Sequence, residues 1–351
     1  AVGTNFSAAN CGRCSMSDVI NIDWYNGAKW HSSYAWDFMF AWDIRTGEND
    51  NLPVLKAFYE KTRTNVYWTD YGNYADSFDG GNGTEASPYL IRTPEQLALL
   101  AYLINNGSTN SQYRYSYFRQ TADIDLSGCI WVPIGMYNSI SYNAFSGYYD
   151  GDGNKITGLN FIGEINCAGL FGYTRSTDSA VPTIFDLTIE NSDNDVSSGH
   201  AGYLVGYAYG SINLYNCYNY GNINSDNDYA YLGGLIGYAS DSCSIEDCAN
   251  FGTIYATTYA IAGTHGVGGI IGYVEEYANI TNCYNAGTVT NSSSSSRAWR
   301  AFAGGVVGVV YGSGVISGCF NSGDVVGIFS GVNNNFSGVG GVIGISYNDT
   351  S

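Results

Sequence analysis

The sequence predicts an all-β protein: a right-handed parallel β-solenoid (β-helix) with a short N-terminal capping helix and a Trp-rich N-terminal strand segment. Two repeated phrases and their period carry that prediction. The first phrase is a short apolar run between glycines: "AGLFGY" at 168, "GYLVGY" at 202, "GGLIGY" at 233, "GGIIGY" at 268, "GGVVGV" at 304 and "GGVIGI" at 340. Its last glycine falls at Gly172, Gly206, Gly237, Gly272, Gly308 and Gly344, giving spacings of 34, 31, 35, 36 and 36. A near-constant period of this size marks stacked supersecondary units. The second phrase is "LYNCYNYGNI", "IEDCANFGTI", "ITNCYNAGTV" and "ISGCFNSGDV", with Cys217, Cys248, Cys283 and Cys319 in equivalent places.

Both phrases are short, rich in Val, Ile, Tyr and Thr, and bounded by Gly, Asn, Ser and Asp, which is strand and turn chemistry. A strand–turn–strand unit cannot bury its own apolar face, but stacked copies cover one another. Each repeat is therefore expected to form one coil, with neighbouring coils about 4.8 Å apart. In an earlier copy, "IFDLTIEN", Leu187 takes the place of the cysteine. A position that accepts Leu or Cys is a small buried apolar one. Two core ladders are expected, one of Leu170, Leu204, Leu235, Ile270, Val306 and Val342, the other of Leu187 and the four cysteines.

Composition suits this fold. The 351 residues include 46 Gly and 32 Tyr, and only 13% are charged. Uncharged residues can stack on themselves without repulsion. The net charge of −18, with 13 scattered Lys and Arg, excludes nucleic acid as a partner. No run of 18 purely apolar residues exists; the nearest, 301–318, carries six glycines and lies on the repeat, so it is read as a coil and no membrane span is expected. Nine cysteines leave at least one unpaired. The ladder cysteines are expected to be reduced. "CGRC", with Cys11 and Cys14, reads as a local disulfide or two thiols rather than a metal site.

Four segments follow: 1–62, a Trp-rich segment; 63–84, a linker; 85–160, a solenoid leader; and 161–351, the coils. In the leader, "TPEQLALLAYLINNG" predicts a helix. Thr93 is the N-cap, Pro94 the first helical residue and Gln96 the partner in a capping box, with Gly107 as the stop. Leu97, Leu100, Ala101, Leu103 and Ile104 would plug the first coil. "DGDGN" at 150–154 lacks the Glu that an EF-hand loop needs at its twelfth position, where Phe161 stands, and reads as a turn.

The order of helix, "TADIDLSG", "WVPIG", "FSGYYDGDGNKITGL" and six phased "GGLIGY"-type units resembles bacterial surface proteins that carry GLUG motifs. These motifs also occur in non-catalytic regions of immunoglobulin-A-specific metallopeptidases. The resemblance covers roughly 78–351 and implies an extracellular, cell-surface, adhesin-like structural protein rather than an enzyme. The HExxH of those peptidases is absent.

In similar proteins a Trp-rich segment ending in "LPVL" follows the coils as their terminal cap. Here it precedes them. "WDFMFAWDI" alternates strictly, with Trp36, Phe38, Phe40, Trp42 and Ile44 on one face. Together with Leu52 these residues are expected to close the last coil of a preceding unit at Val342 and Ile343. The expected partners are copies of the chain or adjacent solenoid modules, joined end to end into a filament or tandem array.

Two further sites are expectations of lower rank. Tyr173, Tyr207, Tyr238 and Tyr273 follow the phrase glycine in four coils. Pointing outward they would form a strip for host or matrix glycans or proteins; pointing inward they would be core. "NSDND" at 191–195 and "NSDND" at 224–228 would place Asp193, Asp195, Asp226 and Asp228 together, a cluster that calcium would suit. No other cofactor is expected. A polysaccharide lyase or hydrolase of the β-helix type would need convergent residues, and His200 and His265 lie two coils apart, about 10 Å by solenoid spacing.

Overall fold

A computed structural model describes residues 42–43, 54–55, 66–70, 72–107, 111–137, 143–161, 166–197, 199–226, 231–258, 264–293, 300–329 and 337–347. The chain divides into two compact units, Ala1–Val66 and Tyr67–Ser351. In the first, strand Trp42–Asp43 pairs antiparallel with Val54–Leu55. Trp36, Phe38, Phe40, Ile44 and Leu52 lie outside the described residues.

The second unit is a parallel β-solenoid of about six turns with one α-helix. Each full coil contributes one strand to each of five parallel sheets. The coil at 212–239 shows the plan: Ile212–Tyr215, Tyr218–Asn219, Asn222–Ser225, Tyr231–Gly233 and Ile236–Ala239 supply the first to fifth sheets in turn. Inward alternate positions stack as ladders. Ile184, Leu214, Ile245 and Ile280 are paired rung to rung and fully buried. Complete burial of each such side chain contributes about 1.5–3 kcal/mol. Leu170, Leu204, Leu235, Ile270 and Val306 are buried in the same core, and Val342 packs against it half-buried.

The corner between the first and second sheets is set by local chemistry. It falls on Asp186, Asn216, Asp247 and Asn282, with φ of 53°, 50°, 53° and 54°, and on Gly318 at 64°. Only Asn, Asp and Gly enter this left-handed region at low cost. The next residue points inward: Leu187, Cys217, Cys248 and Cys283 are buried and Cys319 is half-buried. Every cysteine among the described residues is a free thiol. The Cys217 amide donates to the Cys248 sulfur at 3.4 Å.

The helix spans Pro94–Asn105 with the expected capping box: Gln96 N–H donates to Thr93 Oγ1, and Thr93 N–H to Gln96 Oε1, both at 3.3 Å. It ends on Asn106, whose N–H reaches the Tyr102 carbonyl, rather than on Gly107. Its buried face is wider than expected. Ala98 and Leu99 join Leu97, Leu100, Ala101 and Ile104, while Leu103 is only half-buried. Most of this face joins Phe118, Ile124 and Trp131 in one core cluster, so the helix covers that end of the solenoid. Of the segment expected as a linker, 63–84, the part from Tyr67 onward belongs to the second compact unit. Tyr67 bridges Ile130, and buried Trp68 donates Nε1–H to the Leu126 carbonyl at 2.9 Å. The "DGDGN" stretch is the turn between strands Tyr148–Asp150 and Lys155–Thr157, with Asp152 and Gly153 at positive φ.

Candidate functional site

The phrase glycines decide which way the tyrosines face. In the fifth sheet Val205 pairs with Ile236, Tyr207 with Tyr238 and Ala208 with Ala239, so the pairing passes over Gly206 and Gly237. The register is the same on both sides of the skipped glycines, so the irregularity repeats from coil to coil. Ile236 and Ala239, three apart, both enter the core, and Tyr238 between them turns outward. A Cβ on Gly237 would sit 2.6 Å from both Ala201 N and Gly206 O, which is why no side chain is accommodated there.

Tyr207, Tyr238 and Tyr273 are half-buried and, with Tyr173, which is buried, form one band. Tyr173 and Tyr207 have ring centroids 5.6 Å apart, Tyr207 and Tyr238 5.1 Å, and Tyr238 and Tyr273 5.1 Å with planes within 11°. Tyr137, His200 and Tyr231 lean on the band at 4.8–5.4 Å. The Tyr238 hydroxyl bonds the Glu275 carboxylate. Burial pushes the Tyr173 and Tyr207 hydroxyls up to about 12 and lowers His200 to about 4. The rings pack against one another, so the band offers edges and hydroxyls outward rather than open faces. The ladder ends where Tyr273 pairs with Val309.

The two histidines do not converge. His200 pairs with Tyr231, which pairs with Gly266. His265 is therefore one residue out of register, and strand alternation turns it to the opposite face, where it is fully buried. The acidic pattern also falls apart in three dimensions. The register sets Asp193 beside Asn222 and Asp195 beside Asn224. The amide Nδ2 groups donate to the carboxylates at 2.7 Å and 3.0 Å. Asp226 accepts from Ser197 Oγ at 3.1 Å, and Asp228 lies outside the described residues. The chain advances 29 residues between these rungs, not the 33 that separate the two "NSDND" copies, so amides rather than a second carboxylate meet each Asp. No group of three metal-ligating side chains occurs among the described residues.

The last coil is the exposed end of the described solenoid. Its strands Ser313–Ser317, Phe320–Asn321, Val325–Phe329, Gly338–Gly340 and Ile343–Tyr347 are each terminal in their sheets. Five of its apolar side chains, Val315, Phe320, Val326, Ile328 and Val339, are exposed, Phe320 by 61%. Val342 and Ile343 are half-buried beside them, packed on the core. A second aromatic row, missed in the sequence, runs to this end on the outside of the second sheet. Tyr220 stacks on Phe251 at 4.5 Å, and Tyr284 on Phe320 at 5.7 Å. Its signal was present in the "CYNYG" and "CANFG" phrases beside each cysteine.

A family profile described as "The GLUG motif" matches residues 228–255 and 263–290. The chain carries GLUG motifs. Each match takes in a fourth- and a fifth-sheet strand and the first- and second-sheet strands that follow, and reaches the start of a third-sheet strand, so the GLUG unit is close to one coil in length. A Gly-rich protein of Evansella cellulosilytica, named as a candidate membrane protein, is 32% identical over 148 residues. The match takes in 39% of this chain and about 15% of that protein's length. A crystal structure named as a candidate immunoglobulin A1 protease from Bacteroides ovatus shares the solenoid with a TM-score of 0.52 and 21% identity. It covers 76% of this GLUG chain and 74% of its own, a likeness of fold. No helix among the described residues is long and apolar enough to cross a membrane.

Proposed function

We propose that this chain is an extracellular or cell-surface structural solenoid, adhesive in character and not an enzyme, whose exposed coil joins the next module end to end. The observation that carries the reading is the last described coil. Its five terminal strands present free backbone edges, and Val315, Phe320, Val326, Ile328 and Val339 lie open around them. Edge strands with apolar side chains are templates for further strand pairing. The partner is a segment of another copy or of an adjacent module, with the Trp-rich stretch 36–44 and Leu52 as the covering sequence. A head-to-tail contact of this kind does not close on itself and builds a filament. The membrane-protein name of the Evansella relative supports a location at the cell envelope. The divergence of His200 and His265 supports a structural rather than catalytic role.

Analytical ultracentrifugation and negative-stain microscopy of the full chain test this. End-to-end oligomers that are lost in Phe320→Glu, in Ile328→Lys and on deletion of residues 1–62 are the expected result. A strictly monomeric chain at all concentrations would remove the assembly reading. Turnover of a polyuronate, abolished by changing His200, would remove the non-enzymatic one.

A further inference from the structure

We infer that a groove on the outer face of the first sheet, near the helix-capped end, binds a chain of uncharged pyranose sugars. The groove encloses about 530 Å³, within the range of ligand clefts. It arises from a break in an outward ladder. Tyr117 pairs with Tyr148, and Tyr148 with Thr183. The Tyr117 and Tyr148 rings are 4.2 Å apart and parallel within 2°. Rings stacked across adjacent rungs have their normals along the solenoid axis, so Tyr117 covers one face of Tyr148. The next rung offers only the small Thr183, and the far face of Tyr148 opens into the groove. Beside it, two positions along each strand, the second outward ladder runs Arg119, Asp150, Phe185 and Tyr215. Phe185 and Tyr215 supply a second aromatic wall, and Glu85 closes the rim.

A planar ring face left one rung short of its stack suits a flat apolar face, as the C–H face of a pyranose provides. The polar groups suit ring hydroxyls, which both donate and accept. Arg119 uses Nε to hold Asp150 at 2.8 Å, so its terminal nitrogens remain outward as donors, and the side chain is 46% exposed. Glu85 offers acceptors on the other side, while the buried Thr183 hydroxyl is held by the Val181 carbonyl and the Asn213 amide. The formal charge of the groove, Glu85 and Asp150 against Arg119, is −1 (one cation less two anions), on a chain of net charge −18. That balance disfavours polyanions such as uronates. The Arg119–Asp150 pair places a cation inside the groove, which disfavours a quaternary ammonium ligand.

Calorimetric titration of the full chain tests the site. The probes are neutral hexasaccharides of α- and β-linked glucose, of mannose and of N-acetylglucosamine, with oligogalacturonate and choline as charged comparisons. Saturable binding of at least one neutral hexasaccharide is expected. It falls about tenfold in Tyr148→Ala, the size of one aromatic contact, and is retained in Tyr148→Phe. Thr183→Tyr, which completes the ring stack and fills the opening, abolishes it with an unchanged circular dichroism spectrum. Binding of none of the neutral probes overturns the inference. So does neutral binding that survives Thr183→Tyr, or tighter binding of oligogalacturonate or choline. The nearest lining strand of the groove, that of Tyr215, lies three strands from Ser313–Ser317 in the first sheet. Loss of assembly in Phe320→Glu therefore leaves sugar binding intact, and the two readings fail separately.

Discussion

Asn219 donates Nδ2 to Oδ1 of Asn250 at 2.7 Å inside the solenoid. Asn250 does the same to Asn285, and Asn285 to Asn321, each at 2.7 Å. Each amide also donates to the carbonyl two residues on, at Gly221, Gly252, Gly287 and Gly323, at 2.8–2.9 Å. The first three are fully buried. Both hydrogens of the first three amides are thus used, and a polar row runs through the apolar interior with its buried donors satisfied.

Asn250→Leu should cost about 2–5 kcal/mol, because it leaves the Asn219 donor, the Asn285 acceptor and the Gly252 carbonyl without partners. Asn321→Leu, at the half-exposed end of the row, should cost clearly less. Urea unfolding of the two variants against the parent chain gives the comparison.

Two glycine substitutions should differ sharply. Gly237→Ala forces a methyl within 2.6 Å of backbone atoms of Ala201 and Gly206. A loss above about 3 kcal/mol is expected, since backbone on both sides cannot yield. Gly341→Ala meets nothing within 4 Å and should leave the melting temperature unchanged within a degree or so.

The buried thiols should be silent in the native state. Burial holds Cys248 well above its usual value and raises Cys243 to about 12, and only a thiolate reacts with alkylating reagents. Peptide-resolved alkylation should label Cys217, Cys243 and Cys248 only after unfolding, with half-exposed Cys129 ahead of them. Cys248→Asp should destabilise by about 3 kcal/mol or more, through an unpaired buried carboxyl.

Stability should fall on mild acidification through His200. Desolvation by the surrounding tyrosines is the main cause of its shift from 6.5 to about 4. The folded state therefore binds fewer protons than the unfolded one between these values. Its contribution is whole above about pH 6.5 and is lost as pH falls toward 4, by up to about 3 kcal/mol. His200→Phe should flatten that part of the stability–pH curve, read by urea midpoints between pH 4 and 7.

The amino-acid sequence determined the solenoid, the capped helix and the buried cysteine column, because each is local or repeats at a fixed period. The stacking of apolar residue on apolar residue in the core follows from periodicity alone. It did not determine register across coils of unequal length. The 29-residue step at Asp193 and Asn222 overrides the visible copies of "NSDND", and Tyr238 faces outward although Ile236 and Ala239 on either side of it both enter the core. Nor did it show that the two repeated phrases touch. A Cβ on Gly234 would lie 2.5 Å from the Asn250 amide carbon, and one on Gly269 2.4 Å from that of Asn285. The glycine phrase is bare where the asparagine of the next coil must pass. Where that glycine is replaced, Tyr203 fills the space and accepts from Asn194 Nδ2 at 3.0 Å. Such pairings join residues on different sheets, 16 and 9 apart in sequence, and only the closed coil, which sets their distance, brings them together.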